Sequence, residues 1–499
     1  MKKAKVYWMA SSAAAVALAG AMMLPAQQSS TEGSVSTANR RDPGAGGNPT
    51  PTPSTATDPG PRGVSVGAGG PLPGLSAAQL QFFQNGLTRF MTPDSVSGTE
   101  PGEPNGGLGP TFNSNSCSSC HAQPAVGGSS PSLAAYPNIG PNPQIAIATE
   151  YGATNTIPSF ITANGPVREA RFPYMVNSNG TRSTVADGGV HDIFTITGRQ
   201  DSNGCTLAQP SYDAMQQINN LIFRIPTPVF GAGLIENIPD ATIVANMNAN
   251  ASLKRQLGIA GHPNYSGNDG TITRFGWKAQ NKSLEIFSGE AYNVEMGVTN
   301  EEFPNERGDV TGNCAINNTP EDATNFSASG EVTVPSDVIA FSDFMRMSAP
   351  PVPSLQGIPG NPSAATIAVG AAAFVAVHCD QCHTPAMTTG VSHPIASILS
   401  GKTAALFSDL LVHNMGTGLA DNVSQGSAAG NEFRTAPLWG VGQRVFFLHD
   451  GRSGPSNGGL MNAIQAHSSS GSEANQVIAS FNQLPAPQQQ ALLDFLRSL

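Results

Sequence analysis

The sequence predicts a mainly α chain, two helical units joined by irregular and short β connecting segments, and three observations carry that prediction. Apolar residues recur at helical spacing in Leu80 to Phe90, Ala364 to Val377 and Leu492 to Leu499, whereas much of the intervening chain is rich in Gly, Asn and Pro with weak periodicity. Two pentapeptides repeat one pattern, Cys117-Ser-Ser-Cys120-His121 and Cys379-Asp-Gln-Cys382-His383. The second motif follows a predicted helix directly, and another predicted helix closes the chain. Cys-x-x-Cys-His is the covalent attachment signature of c-type haem: the cysteines form thioethers to the porphyrin and the histidine is held beneath the iron. A helix leading into that motif, with a terminal helix across it, is the plan of a cytochrome c domain. The fold expected is therefore two cytochrome c-like haem domains. Zinc is the competing use of such cysteines, but it would have to ignore a histidine at the same offset in both motifs and join pairs 262 residues apart.

Taken in order, residues 1–26 have the regions of a cleavable signal peptide: Lys2, Lys3 and Lys5, an apolar alanine-rich run through Met23, then Leu24-Pro25-Ala26. An uncleaved anchor is the alternative, since the run of roughly 18 residues is near the lower limit for spanning a bilayer. Cleavage near Ala26 predicts a periplasmic or secreted protein with no stable membrane insertion, which suits haem c attachment outside the cytoplasm. Residues 27–74 are Pro, Ser, Thr and Gly with few apolar side chains, the composition of a disordered linker.

Order is expected from Ser76, which has capping-box spacing to Gln79 ahead of Leu80, Phe83, Leu87 and Phe90. An N-terminal haem c domain is read over 75–258, an irregular connecting region over 259–363, and a C-terminal cytochrome c domain over 364–499. Within the connecting region Glu331-Val332-Thr333-Val334 alternates as a strand does, a short signal. Cysteine arithmetic leaves Cys205 and Cys314 outside the motifs, an even remainder that an oxidising compartment would join as a disulfide; two buried thiols are the alternative. Net charge is −10, and no basic cluster suggests nucleic acid. That acidity suits a basic docking partner or a neutral small molecule better than a polyanion.

Several strings carry a family resemblance. Gly109-Pro-Thr-Phe-Asn113, Arg224-Ile-Pro-Thr-Pro-Val-Phe-Gly-Ala-Gly-Leu-Ile-Glu236, Arg274-Phe-Gly-Trp-Lys-Ala-Gln280 and Phe447-Leu-His-Asp-Gly-Arg452 resemble the peroxidase-like di-haem oxidoreductases, also labelled thiol oxidoreductases, over about residues 75–499. That family in turn is similar to bacterial di-haem cytochrome c peroxidases, to the haem protein that matures a tryptophan-derived quinone, and to di-haem rubber oxygenases. The resemblance implies two covalently bound haem c groups, with calcium as a further candidate. It also implies hydrogen peroxide or dioxygen as the small-molecule partner, and a small redox donor: a cytochrome, a copper protein or an organic donor.

Distal ligands then decide which iron reacts, because two strong protein ligands leave an iron able to pass electrons but closed to peroxide. Downstream of His383 the candidates are His393, His413, Met415, His449, Met461 and His467. His467 shares a helical face with Leu460 and Ile464, and the resemblance places the peroxidases' distal methionine on this helix, so His383 and His467 are the expected pair. His449 is read as a supporting residue of its turn and His413 with Met415 as a rival ligand source. The haem of His121 has no equally convincing partner. His191, in a glycine-flanked turn, is a candidate ligand or acid/base group, and His262 lies in a turn expected to be exposed. The resemblance offers Glu236 as the carboxylate that moves a proton during O–O cleavage. Arg224 is offered either to stabilise the departing oxygen or to hold a propionate. Trp277 and Trp439 are candidates to bridge the haems.

The function expected is peroxide reduction at the N-terminal haem, with electrons relayed by the C-terminal one. A di-haem oxygenase acting on an organic or protein substrate, or a non-enzymatic electron carrier, are the alternatives.

Overall fold

The computed structural model describes residues 55–63, 67–131, 141–186, 189–307, 313–322, 336–391 and 394–499. The signal segment, most of the linker, the 331–334 strand and His393 lie outside the described residues.

Helix α1 (Ala77–Met91) begins at the anticipated capping box, in which the Ser76 hydroxyl accepts from the Gln79 backbone N–H and the Gln79 side chain returns to the Ser76 N–H. It buries Phe83, Gly86 and Phe90. Two further helices complete this core, α2 (Leu284–Met296) and α3 (Asp337–Met347). Phe344 on α3 meets Phe83 and Phe90 at ring-centroid distances of 5.5 and 4.9 Å. Gly86 allows this approach: a Cβ there would stand 2.3 Å from the Ala340 carbonyl oxygen. Both α2 and α3 fall in the stretch 259–363, for which irregular structure was expected. Periodicity is weak in α2 because its buried positions are not all apolar: it buries Ser288 and Asn293 along with Leu284 and Met296, and sets Glu290 and Glu295 along an internal cavity.

Short antiparallel ribbons position the remaining walls. Strand β1 (Thr111–Phe112) pairs with β3 (Phe194–Thr195), and β2 (Glu169–Arg171) pairs with β4 (Ile222–Arg224) in the register Glu169 to Arg224 and Arg171 to Ile222. The disulfide between Cys205 and Cys314 is formed.

In the C-terminal part, α4 (Ala364–Ala376) runs into the second motif and packs across α6 (Ala486–Ser498), the pairing that the sequence anticipates. Gly370 is the contact point, since a Cβ there would lie 1.9 Å from the Ala491 carbonyl oxygen. Phe374, Phe407 and Phe495 pack edge to face around it. Between these two helices in sequence lie β5 (Val412–Asn414), β6 (Glu432–Arg434) and α5 (Gly459–Gln465).

The linker expectation needs correction at its end. Ala56 is buried in the C-terminal core, and the Asp58 carboxylate binds the Arg497 guanidinium at 2.6 and 2.8 Å while accepting from the Leu460 N–H. Leu72 joins the N-terminal core. A few anchoring side chains in an otherwise polar stretch are enough to order it, and composition averages over them. Among the described residues no helix is long and apolar enough to cross a membrane.

Candidate active site and cofactor cavities

The first motif forms a short helical turn, Cys117–Cys120, at the mouth of an internal cavity. Cys117, Cys120 and His121 line this space together. The His121 ring is fixed by Nδ1, 3.0 Å from the Gly128 carbonyl oxygen, and by the edge of Phe90. Burial pushes this histidine down to about 4, so the imidazole is neutral as iron ligation requires.

The lining is mixed, apolar side chains such as Phe90, Phe341 and Met345 alternating with charged ones. Alternation along β2 turns Glu169 and Arg171 inward, and α2 contributes Glu290 and Glu295. Glu169 and Arg171 pair at 3.0 Å. Glu290 accepts hydrogen bonds from Asn281 and Gln280. Burial, and then the neighbouring carboxylates of Glu169 and Glu290, push Glu295 up to about 8. Several buried atoms at the wall have no protein partner: Asn113 Oδ1, Arg171 Nε, Arg224 Nε and Gln280 Oε1. Such atoms need a polar guest.

Of the acid/base candidates read from the sequence, only Arg224 lines this cavity. Its Nη2 is also 2.9 Å from Asp421 and its Nη1 donates to Gln425. Glu236 is turned toward Arg346, with Nε–Oε2 at 2.8 Å, and accepts from the Leu284 N–H; it is not among the lining residues. His191 pairs through its backbone with Ala170, and its ring stacks on Phe172 at 3.8 Å. Phe172 continues the alternation on the side of Ala170, away from Glu169 and Arg171, so the His191 ring packs behind the wall. His262 pairs with Glu432 at 3.1 Å and lines neither cavity.

The second motif opens onto a cavity lined by His378, His413 and His449 and by the expected ligand pair, His383 and His467. Each of that pair is oriented through Nδ1 by a backbone carbonyl, His383 by Phe407 at 3.0 Å and His467 by Ala463 at 2.7 Å. Burial lowers both, His383 to about 4. His413 is unsuited to ligate, because both of its nitrogens are engaged, Nε2 with Asp409 at 2.9 Å and Nδ1 with Glu473 at 2.7 Å. Among the described residues, the side chains close enough to share a metal ion are Cys382, Asp409 and His413. A set with one carboxylate is not the oxygen-rich site that calcium takes. Met415 borders the cavity, and His449 stacks on Phe433 at 4.2 Å as a packing residue of its turn.

Trp277 lines both cavities, its ring held by a hydrogen bond from Nε1 to the Ile225 carbonyl at 2.9 Å. Trp439 borders only a smaller space beside it, which Arg434 and Arg444 also line. In that region Arg444 is buried with Nε and Nη2 unpartnered. Neutral oriented imidazoles, unpartnered guanidinium donors and apolar walls such as Phe374, Phe447 and Leu492 fit an amphipathic, carboxylate-bearing porphyrin.

The family described as "Di-haem oxidoreductase, putative peroxidase" matches residues 173–499. The chain belongs to that family. Two haems are thus its cofactors, and oxidoreductase chemistry is the activity that the family description suggests. The matched stretch contains α2 with Glu290 and Glu295, the second motif and His467, whereas the first motif precedes it. No curated protein matches the chain. Sequence reasoning missed Glu290 and Glu295; the available signal was their position just after the Arg274 to Gln280 string.

Proposed function

We propose that this chain is an exported di-haem peroxidase. In this reading haem c is attached at both motifs, hydrogen peroxide is reduced at the His121 site, and electrons are relayed from the site of His383 and His467. One observation carries it: among the described residues His121 is the one imidazole lining the first cavity, which Glu290 and Glu295 also line, whereas the five that line the second include His383 and His467, each turned through Nδ1 to a backbone carbonyl. A haem held by Cys117, Cys120 and His121 would supply the redox chemistry that reduces peroxide to water.

The surrounding side chains move the protons. Reduction of one peroxide to two waters consumes two protons and two electrons, so the site needs a donor at the departing oxygen. Glu295, raised to about 8, carries a proton at neutral pH and takes the donor role first assigned to Glu236. Glu290, held by Asn281 and Gln280, is placed to receive the peroxide proton. Arg171 and Arg224 offer unpartnered N–H groups to the negative charge that develops. The ionisable groups in this lining suit the proton transfers of peroxide reduction. Electrons enter near the second site from a small redox protein or organic donor.

The test is electron paramagnetic resonance of the ferric holoprotein together with peroxide turnover. One high-spin and one low-spin signal are expected, and Glu295→Gln should keep both while lowering kcat for peroxide by about 10²- to 10⁴-fold. Two low-spin signals, or full activity in the variant, refute the reading.

A further inference from the structure

Arg434 and Arg444 both line the second cavity and the smaller space beside Trp277. They are 8% and 6% exposed. Among the described residues no carboxylate acts on either group, and the one charged influence on Arg434 is repulsion from Arg444. Arg434 spends its Nε on the Gly276 carbonyl at 3.0 Å, and its backbone N–H donates to the Trp277 carbonyl at 2.8 Å. Arg444 keeps Nε and Nη2 without partners.

Burying an ion costs several kcal/mol even after relaxation, and burying two like charges together adds their repulsion. A fold carries such a pair only where an anion of matching charge meets it. The missing anion is therefore close to a dianion, and it must reach the cavity edge shared with Trp277. A haem carries two propionate carboxylates on the side of the macrocycle away from its thioether substituents. The cavity is polarised in the same sense: Cys379 and Cys382 border an apolar cluster of Leu257, Ile259 and Val477, while Trp277 and Phe433 belong to a separate one. Guanidinium groups bind carboxylates through paired, charge-assisted hydrogen bonds, and unused Nε and Nη2 donors provide such a pair.

We propose that Arg434 and Arg444 form a paired-guanidinium seat for the two propionates of the haem in the second cavity. Through the grip of Arg434 on the Gly276 and Trp277 backbone, the seat also fixes that haem relative to the tryptophan between the cavities. The inference rests on the second cavity being a haem site ligated by His383 and His467, and it assigns the opposite edge of the group. Positive charge beside the propionates stabilises the reduced iron, so its removal shifts the equilibrium toward the ferric state.

The test uses holoprotein carrying Arg444→Gln, Arg434→Gln or Arg444→Lys, with potentials measured by spectroelectrochemistry and propionate bending modes by resonance Raman. Each Gln variant should keep the low-spin spectrum, move the reduction equilibrium of that haem about tenfold toward ferric, or about 59 mV for one electron, and shift a propionate mode. Arg444→Lys, which keeps the charge and loses the planar fork, should shift the mode with a smaller change in potential. If a Gln variant fails to fold, the Lys variant decides by its Raman mode. Unchanged modes, or potentials unchanged in folded Gln variants, overturn the proposal. Failure of the haem placement itself is distinguishable: a Cys379→Ser/Cys382→Ser double variant would then retain its full haem content.

Discussion

The ion cluster that joins the two parts of the molecule should respond to Asp421→Asn in a pH-dependent way. Asp421 is buried between Arg224 Nη2 at 2.9 Å and Lys278 Nζ at 3.0 Å. At an effective dielectric constant of about 20 each contact has a gross attraction of about 5 to 6 kcal/mol, most of it offset by desolvation. The asparagine keeps the shape and removes the charge, leaving two buried cations facing each other. Loss of one partner of a buried pair typically costs about 3 to 5 kcal/mol, and that is the destabilisation expected at pH 7. Burial already pushes Lys278 down to about 8, and Asp421 is the main influence opposing that push. Without Asp421 the amine falls further below its unfolded value. Between the folded and unfolded values the unfolded chain binds more protons, so stability gained from Lys278 rises with pH. The deficit of Asp421→Asn should therefore shrink between pH 7 and 9, incompletely, because Arg224 stays charged. Urea unfolding of the holoprotein, followed by circular dichroism at both pH values, measures this. A deficit under about 1 kcal/mol at pH 7, or one that grows at pH 9, would show that the cluster does not hold the two parts together.

Other expectations follow from single contacts. Since Glu295 donates from its acid form, kcat of the wild-type protein should be constant below about pH 7 and fall as pH rises through about 8, a limb absent from the residual activity of Glu295→Gln. The same raised value means that stability contributed by the protonated carboxyl is complete below its unfolded value and is lost as pH rises through about 8. Gly370→Ala gains about 1 kcal/mol of helix propensity but drives a methyl to within 1.9 Å of the Ala491 carbonyl oxygen. Overpacking should win, giving net destabilisation of about 1 to 3 kcal/mol in urea, with loss of low-spin haem; a neutral or stabilised variant contradicts the close helix crossing. Replacing both Cys205 and Cys314 by alanine opens a 109-residue link and should lower stability by up to about 4 to 5 kcal/mol, measured as a drop in the urea midpoint under oxidising conditions.

Legibility in the sequence followed the locality of each interaction. The Ser76 and Gln79 cap and the entry of α4 into the second motif depend on neighbours within a turn or two, so spacing alone was informative; α5 ends at Gln465, so His467 follows that helix, and its reading leaned on the family resemblance as well. Cys205 and Cys314 were legible by elimination, because the motifs account for the other four cysteines. Helix α2 was obscured because one of its faces lines an internal cavity: Glu290 and Glu295 stand there, where a core helix ordinarily carries leucine. Glu236 was misleading for the converse reason. Its partner Arg346 lies 110 residues away, on a helix the sequence did not announce, and no local pattern could tell an ion-paired carboxylate from an acid at the reacting centre. Arg434 and Arg444 likewise became conspicuous only when burial and the absence of an acid beside them were both known.

On the proposed reading, these residues explain how one chain can keep two haems unequal. His383 and His467 close one iron with neutral imidazoles, which favours rapid electron exchange with little rearrangement. The first cavity gathers ionisable groups in the same lining as His121, where Glu295 can hold a proton and Arg171 can face developing charge. Trp277 stands at both walls, pinned by Ile225 through its ring and by Arg434 through its backbone. A ring fixed from both sides keeps the path between the two cavities constant, while the carboxylates that handle protons stand on α2. Electron supply and proton supply thus run through different side chains, and a substitution on one route should leave the other measurable.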